Sequence, residues 1–92
     1  MVEQTVKLVN PLGLHARAAA KLVRCAVQFE SRISLRNKKA NASANAKSIL
    51  SLLTLAASCG VILDIIIEGS DERHAAAAIT ALFANGFGEI EF

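Results

Sequence analysis

The stretch Val2-Glu3-Gln4-Thr5-Val6-Lys7-Leu8-Val9-Asn10-Pro11-Leu12-Gly13-Leu14-His15-Ala16-Arg17-Ala18-Ala19-Ala20 changes its hydrophobic period once, at the turn in its middle. Val2 to Val9 is β-branched and partly alternating, which predicts a strand. Asn10-Pro11-Leu12-Gly13 is turn chemistry, because proline fixes φ and glycine tolerates the positive φ of a bend. From Ala16 to about Gln28 the pattern turns helical: Ala19, Leu22, Val23, Ala26 and Val27 form an apolar stripe. Arg17, Lys21, Arg24 and Gln28 fall on another face, which begins at His15 and carries three positive charges.

Outward from this strand, turn and helix, the period keeps switching. Ser31-Arg32-Ile33-Ser34-Leu35-Arg36 alternates and predicts a second strand. Asn37-Lys38-Lys39-Ala40-Asn41 is a polar turn, and Ala42-Ser43-Ala44 returns from it as a short third strand. Lys47 to Ala57 predicts a second helix stopping before Gly60, with Ile49, Leu52 and Ala56 toward the sheet. Val61 to Glu68 predicts a fourth strand, central because of its isoleucine density. A third helix, capped by Ser70 or Asp71, buries Ala75, Ala76, Ile79, Leu82 and Phe83 and ends at Gly86. The order β-α-β-β-α-β-α predicts an α+β domain over residues 1–92, a four-stranded antiparallel sheet with three helices on one face.

Composition removes several classes of function. With 92 residues, 53% of them hydrophobic, the chain fills one small core. The apolar run Val61–Ile67 is cut by Asp64 and is too short for a bilayer, so no membrane insertion is expected, nor is a secretory leader read at the start. A formal net charge of +2 and four phenylalanines as the only aromatics argue against nucleic acid, although Arg36, Lys38 and Lys39 form a small basic patch. Cys25 and Cys59 lack metal-ligand spacing and read as buried free thiols of a cytoplasmic protein. Neither a metal nor a cofactor is expected.

The chemistry concentrates at His15. A helix N-terminus offers unpaired N–H groups and the positive end of the macrodipole, worth about 0.3–1 kcal/mol to an exposed anion. Imidazole titrates near neutrality and is a competent nucleophile. A phosphoryl group on a ring nitrogen of His15 would therefore share its charge with the Ala16 and Arg17 amides and the Arg17 guanidinium. The plain alternatives are a capping or surface histidine at 15, a solvated charge at Arg17 and a simple N-cap at Ser48. His74 has no chemical company and reads as surface.

Asn10-x-x-Gly13-Leu14-His15-Ala16-Arg17 resembles the active-site signature of the HPr family, the histidine phosphocarriers of the bacterial phosphotransferase system. Asn45-Ala46-Lys47-Ser48-Ile49-Leu50 is similar to that family's serine-phosphorylation region, and Ala81 to Glu89 to its C-terminal helix and stop. The resemblance implies an open-faced β-sandwich and a carrier rather than a stand-alone enzyme. It implies that His15 takes a phosphoryl group from phosphorylated enzyme I and passes it to an EIIA-type acceptor, with Arg17 stabilising the phosphate. It makes Ser48 a candidate for a regulatory serine kinase and phosphatase. It also makes Leu50 and Leu53, rimmed by Arg17, Lys21, Arg24 and Lys47, a docking patch on a monomer. One residue departs from the pattern: Ala18 stands where the family commonly has proline, which keeps an extra N–H in the first helical turn. The sugar-transport and nitrogen-related branches both fit. The alternative is a non-catalytic regulatory protein-binding module of the nitrogen-related branch.

Overall fold

Seven regular elements follow one another in the expected order in the computed structural model, which describes residues 1–89. They are β1 (Val2–Lys7), α1 (Ala16–Ala26), β2 (Arg32–Asn37), β3 (Ala42–Asn45), α2 (Ile49–Leu53), β4 (Ile62–Glu68) and α3 (Glu72–Ala84), followed by a 3-10 turn at Gly86–Gly88. The sheet is antiparallel with order β1-β4-β2-β3. Isoleucine-rich β4 is central as expected: Ile65 is flanked by Gln4 on one side and Leu35 on the other. Period-two alternation sends Leu63, Ile65 and Ile67 inward and Ile62, Asp64, Ile66 and Glu68 to the open face.

The helices cover the inward face. Ile33, Leu35, Leu63, Ile65 and Ile67 from the sheet meet Ala18, Ala19, Leu22 and Ala26 of α1 and Ala75, Ala76, Ile79 and Phe83 of α3. Each fully buried leucine or isoleucine contributes roughly 1.5–3 kcal/mol by leaving water. The alanines let the helix backbones approach the strands closely.

Several local expectations are corrected. β1 stops at Lys7 rather than Val9, although Leu8 stays buried and its amide reaches the Val61 carbonyl at 2.9 Å. α1 stops at Ala26, leaving Val27 56% exposed and outside the apolar stripe. The second helix is five residues, not Lys47–Ala57. Ser48 Oγ accepts the Ser51 amide at 3.2 Å and caps it, while Thr54 Oγ1 donates to the Ser51 carbonyl at 2.6 Å. The Ser48 bond supports the helix start, whereas the Thr54 bond competes with its propagation. Leu55 then closes a tighter turn onto Leu52, and Ala56 takes a left-handed φ of 55°. Leu52 and Leu55 are therefore the buried pair, and Ile49 and Ala56 face solvent instead of the sheet. Cys59 lies exposed in the next turn and Cys25 is half-buried, so neither is a fully buried thiol. Asp71 stands at the N-cap of α3 without capping it, because its carboxylate accepts the amides of Glu30 (2.8 Å) and Ser31 (3.0 Å) and the Ser31 hydroxyl. Those bonds tie the α1–β2 connection to the start of α3 and hold the Asp71 carboxyl below its usual range, the Ser31 hydroxyl contributing most.

The loop before α1 is fixed from below. The Leu14 amide donates to the Ala57 carbonyl at 2.9 Å, so the chain following α2 is the floor of the loop. Gly13 has φ +65°, and a Cβ there would sit 2.6 Å from the Ala57 oxygen and 2.8 Å from Ser58 Cα. No other residue fits both the conformation and the space.

Candidate functional site

His15 occupies the N-cap of α1 with extended backbone (φ −81°, ψ −180°), and its carbonyl accepts the Ala19 amide at 2.8 Å. Its ring makes no capping bond to the helix. The amides of Ala16, Arg17 and Ala18 have no acceptor among the described residues, as the geometry of a helix start requires unless a cap supplies one.

The ring is held from the opposite end of the chain. His15 Nε2 lies 2.8 Å from Glu89 Oε1 and 2.9 Å from Oε2, with the two side chains 24% and 12% exposed. Asn10 Nδ2 reinforces the pair by donating to Glu89 Oε1 at 3.0 Å and to the Gly13 carbonyl at 2.7 Å. Glu89 reaches the site because the chain reverses after α3, with Gly86, Phe87 and Gly88 all at positive φ. Phe87 anchors that reversal, packing edge-on against Phe83 at 5.0 Å between ring centres. Lys21 Nζ donates to the Phe87 carbonyl at 2.6 Å and ties the reversal to α1.

The electrostatics follow from these contacts. The His15 ring, then the Asn10 amide and the charge of Arg17, hold the Glu89 carboxyl below its ordinary value against partial desolvation. An ionised carboxylate only accepts, so Nε2 bears the ring hydrogen. In the neutral ring Nδ1 is then the nitrogen with the lone pair, and it has no hydrogen-bond partner among the described residues. The site thus holds one oriented nucleophilic nitrogen, three free amides and a guanidinium on the second helical residue.

The other residues singled out by sequence separate in space. Arg17 and Arg24 are exposed along α1, and Lys21 is half-buried by its tether. Leu50 is 79% exposed and Leu53 43%, on an α2 that packs against α1. Lys47 Nζ donates to the Phe29 carbonyl at 2.6 Å, beyond the C-terminal end of α1, so it lies at the far end of that helix from His15. Asn10 and Glu89 are the two site residues that sequence reading did not assign a role. Each stands inside a segment of the family resemblance, but 79 positions separate them and only the fold joins them. Among the described residues no cluster of three or more histidine, cysteine or carboxylate side chains could hold a metal ion, and no helix is long and apolar enough to cross a membrane.

A family model described as the PTS HPr component phosphorylation site matches residues 2–85. The chain is 44% identical over 89 residues to the phosphocarrier protein HPr of Treponema pallidum, covering 97% of this chain and 99% of that one. It is 40% identical over 88 residues to the phosphocarrier protein NPr of Escherichia coli K12, covering 96% and 97%. The crystal structure of HPr-C-His from Thermoanaerobacter tengcongensis superimposes with a TM-score of 0.92 at 38% identity, over 99% of this chain and all of the other. Fold order, open antiparallel sheet and family match agree: the chain belongs to the HPr family of phosphocarriers of the phosphotransferase system.

Proposed function

We propose that His15 is the phosphoryl acceptor and donor, loaded by phosphorylated enzyme I and unloaded onto an EIIA-type acceptor. The observation that carries this reading is the double contact of Nε2 with the Glu89 carboxylate, which leaves Nδ1 as the nucleophile. In the transfer, the Nδ1 lone pair forms the N–P bond while the donor's bond to phosphorus breaks and its electron pair returns to the donor. The PO₃ unit brings one net negative charge: two negative charges sit on its oxygens and one positive charge on the ring, which keeps its hydrogen on Nε2. Glu89 faces that positive charge, and the helix amides and Arg17 face the negative ones. The protein's contribution is positioning and electrostatics, as phosphoryl transfer generally requires. Reversal of the same step unloads the group.

Docking is proposed for the exposed Leu50 and Leu53, with Arg17, Lys21 and Arg24 as a basic rim and Lys47 at its outer corner. An apolar centre inside a charged rim suits an interface that must form and dissolve in every cycle. Ser48, the cap of α2, is proposed as the regulatory serine. A phosphate there would add about −1.5 to −2 charges beside this patch and oppose acidic partners. A monomer suits a carrier that presents one face to two partners in turn. Incubation with phosphoenolpyruvate and enzyme I tests the reading. The expected product is an acid-labile, alkali-stable phosphate that is absent from His15→Ala; equal labelling of the two proteins would refute it.

A further inference from the structure

We propose that Lys21 is a positioning residue for phosphoryl transfer: by holding the Phe87 carbonyl it keeps the Glu89 carboxylate on Nε2 of His15. The proposal rests on the reading that His15 carries the phosphoryl group, and adds what aligns its ring. The backbone that delivers Glu89 is strained. Gly86, Phe87 and Gly88 lie at φ 57°, 56° and 73°, and Phe87 carries a bulky side chain. Such a left-handed run persists only where its surroundings hold it. Within the reversal, the Gly88 amide donates to the Asn85 carbonyl and the Glu89 amide to the Gly86 carbonyl, both at 3.0 Å. These bonds shape the turn without attaching it to α1.

Two contacts fasten the reversal to the helices. The Phe87 ring, 1% exposed, packs on Phe83 and anchors it to α3. The Lys21 ammonium donates to the Phe87 carbonyl at 2.6 Å; among the described residues this bond joins the reversal's backbone to the helix that His15 caps. A Cβ at Gly88 would lie 3.7 Å from Lys21 Nζ, so the ammonium sits close over that residue as well. A charged donor makes a bond about twice as strong as a neutral one. Helix α1 therefore grips one short segment at two points: His15 meets the Glu89 carboxylate, and Lys21 meets the carbonyl just before Gly88. Lys21 is half-buried with its ammonium committed inside the protein, whereas Arg17 and Arg24 are exposed. This duty differs from that of a docking charge, because it is exercised with no partner bound.

The test begins with the free carrier. Imidazole ¹H–¹⁵N spectroscopy, above the usual titration range of the ring, measures how fast the His15 Nε2 hydrogen exchanges with water. Lys21→Met removes the donor and keeps a helix-forming side chain, and Lys21→Ala is the second variant should the first not fold. Exchange is expected to quicken by about three- to tenfold, the worth of one lost hydrogen bond. With phosphoenolpyruvate and enzyme I, the transfer rate at saturating carrier is expected to fall by a similar factor. Loss of a docking charge alone would instead raise the carrier concentration needed. Neither effect should add to that of Glu89→Ala, because Lys21 acts through Glu89. Unchanged exchange in a folded Lys21 variant, or effects additive to those of Glu89→Ala, would overturn the positioning role and leave the carrier reading intact. Absence of phosphate from wild-type His15 would overturn both.

Discussion

At His15 the proposed mechanism gives the two ring nitrogens different duties, because Glu89 contacts only Nε2. Replacing Glu89 with glutamine keeps an acceptor for Nε2–H but removes the negative charge that faces the phosphorylated ring. Glu89→Gln is therefore expected to lower the phosphorylated fraction at equilibrium by about tenfold, measured by label against a fixed ratio of donor. An unchanged fraction would limit the carboxylate to orienting the ring. The same carboxyl is held below its ordinary value, so its folded form binds a proton less readily than its unfolded form. Its contribution to stability is present above the unfolded group's titration range and fades as pH falls through the lower folded one. Gly13→Ala should destabilise the protein by about 1–3 kcal/mol or more, read as a fall in the urea midpoint, because the new Cβ meets Ala57 and Ser58 at a positive φ. His15 was legible in the sequence, since an imidazole ahead of a helix is a local signal. The roles of Glu89 and Asn10 were not, because no local rule links residues 79 apart.

Among the elements, α2 divides cleanly between packing and exposure. Leu52 is buried and Leu50 and Leu53 are not, so Leu52→Ala should cost about 2–5 kcal/mol of stability. Leu50→Ser and Leu53→Ser should change it by less than about 0.5 kcal/mol. The two exposed changes are instead expected to slow phosphoryl transfer with both partner classes, measured as rates at low carrier concentration. Wild-type rates in both variants would remove α2 from the docking surface. At the start of α3, the depressed Asp71 carboxyl stabilises the fold above its unfolded titration range, an effect lost as pH falls through its lower folded range. Asp71→Asn should therefore show a smaller drop in Tm between neutral and acid pH than the parent protein. The central place of β4 was legible because a run of β-branched isoleucines favours a strand paired along both edges, as β1 and β2 pair with it. The length of α2 was not, because Thr54 occupies a backbone carbonyl that a periodicity count treats as helical.

Across the whole molecule, the site is where three separate segments converge on one loop. The turn from Asn10 to Leu14 rests on the chain after α2 through the Leu14–Ala57 bond. The reversal after α3 delivers Glu89 from above, fastened by Phe87 in the core and Lys21 on α1. The sheet's inward face supports all three, while its outward face carries the Asp64 cluster with Thr5, Arg36 and Lys38, well away from the core. The element order and the family resemblance together made this architecture legible, since seven short elements with turn signals leave few ways to cover one sheet face. The claim at the centre is that phosphorus is carried on Nδ1 of His15 while Nε2 keeps its hydrogen against Glu89. Imidazole ¹H–¹⁵N spectroscopy of the protein phosphorylated by enzyme I and phosphoenolpyruvate measures it most directly. The expected spectrum shows phosphorus coupling at Nδ1 and a protonated Nε2; coupling at Nε2, or an unlabelled His15 ring, would contradict it.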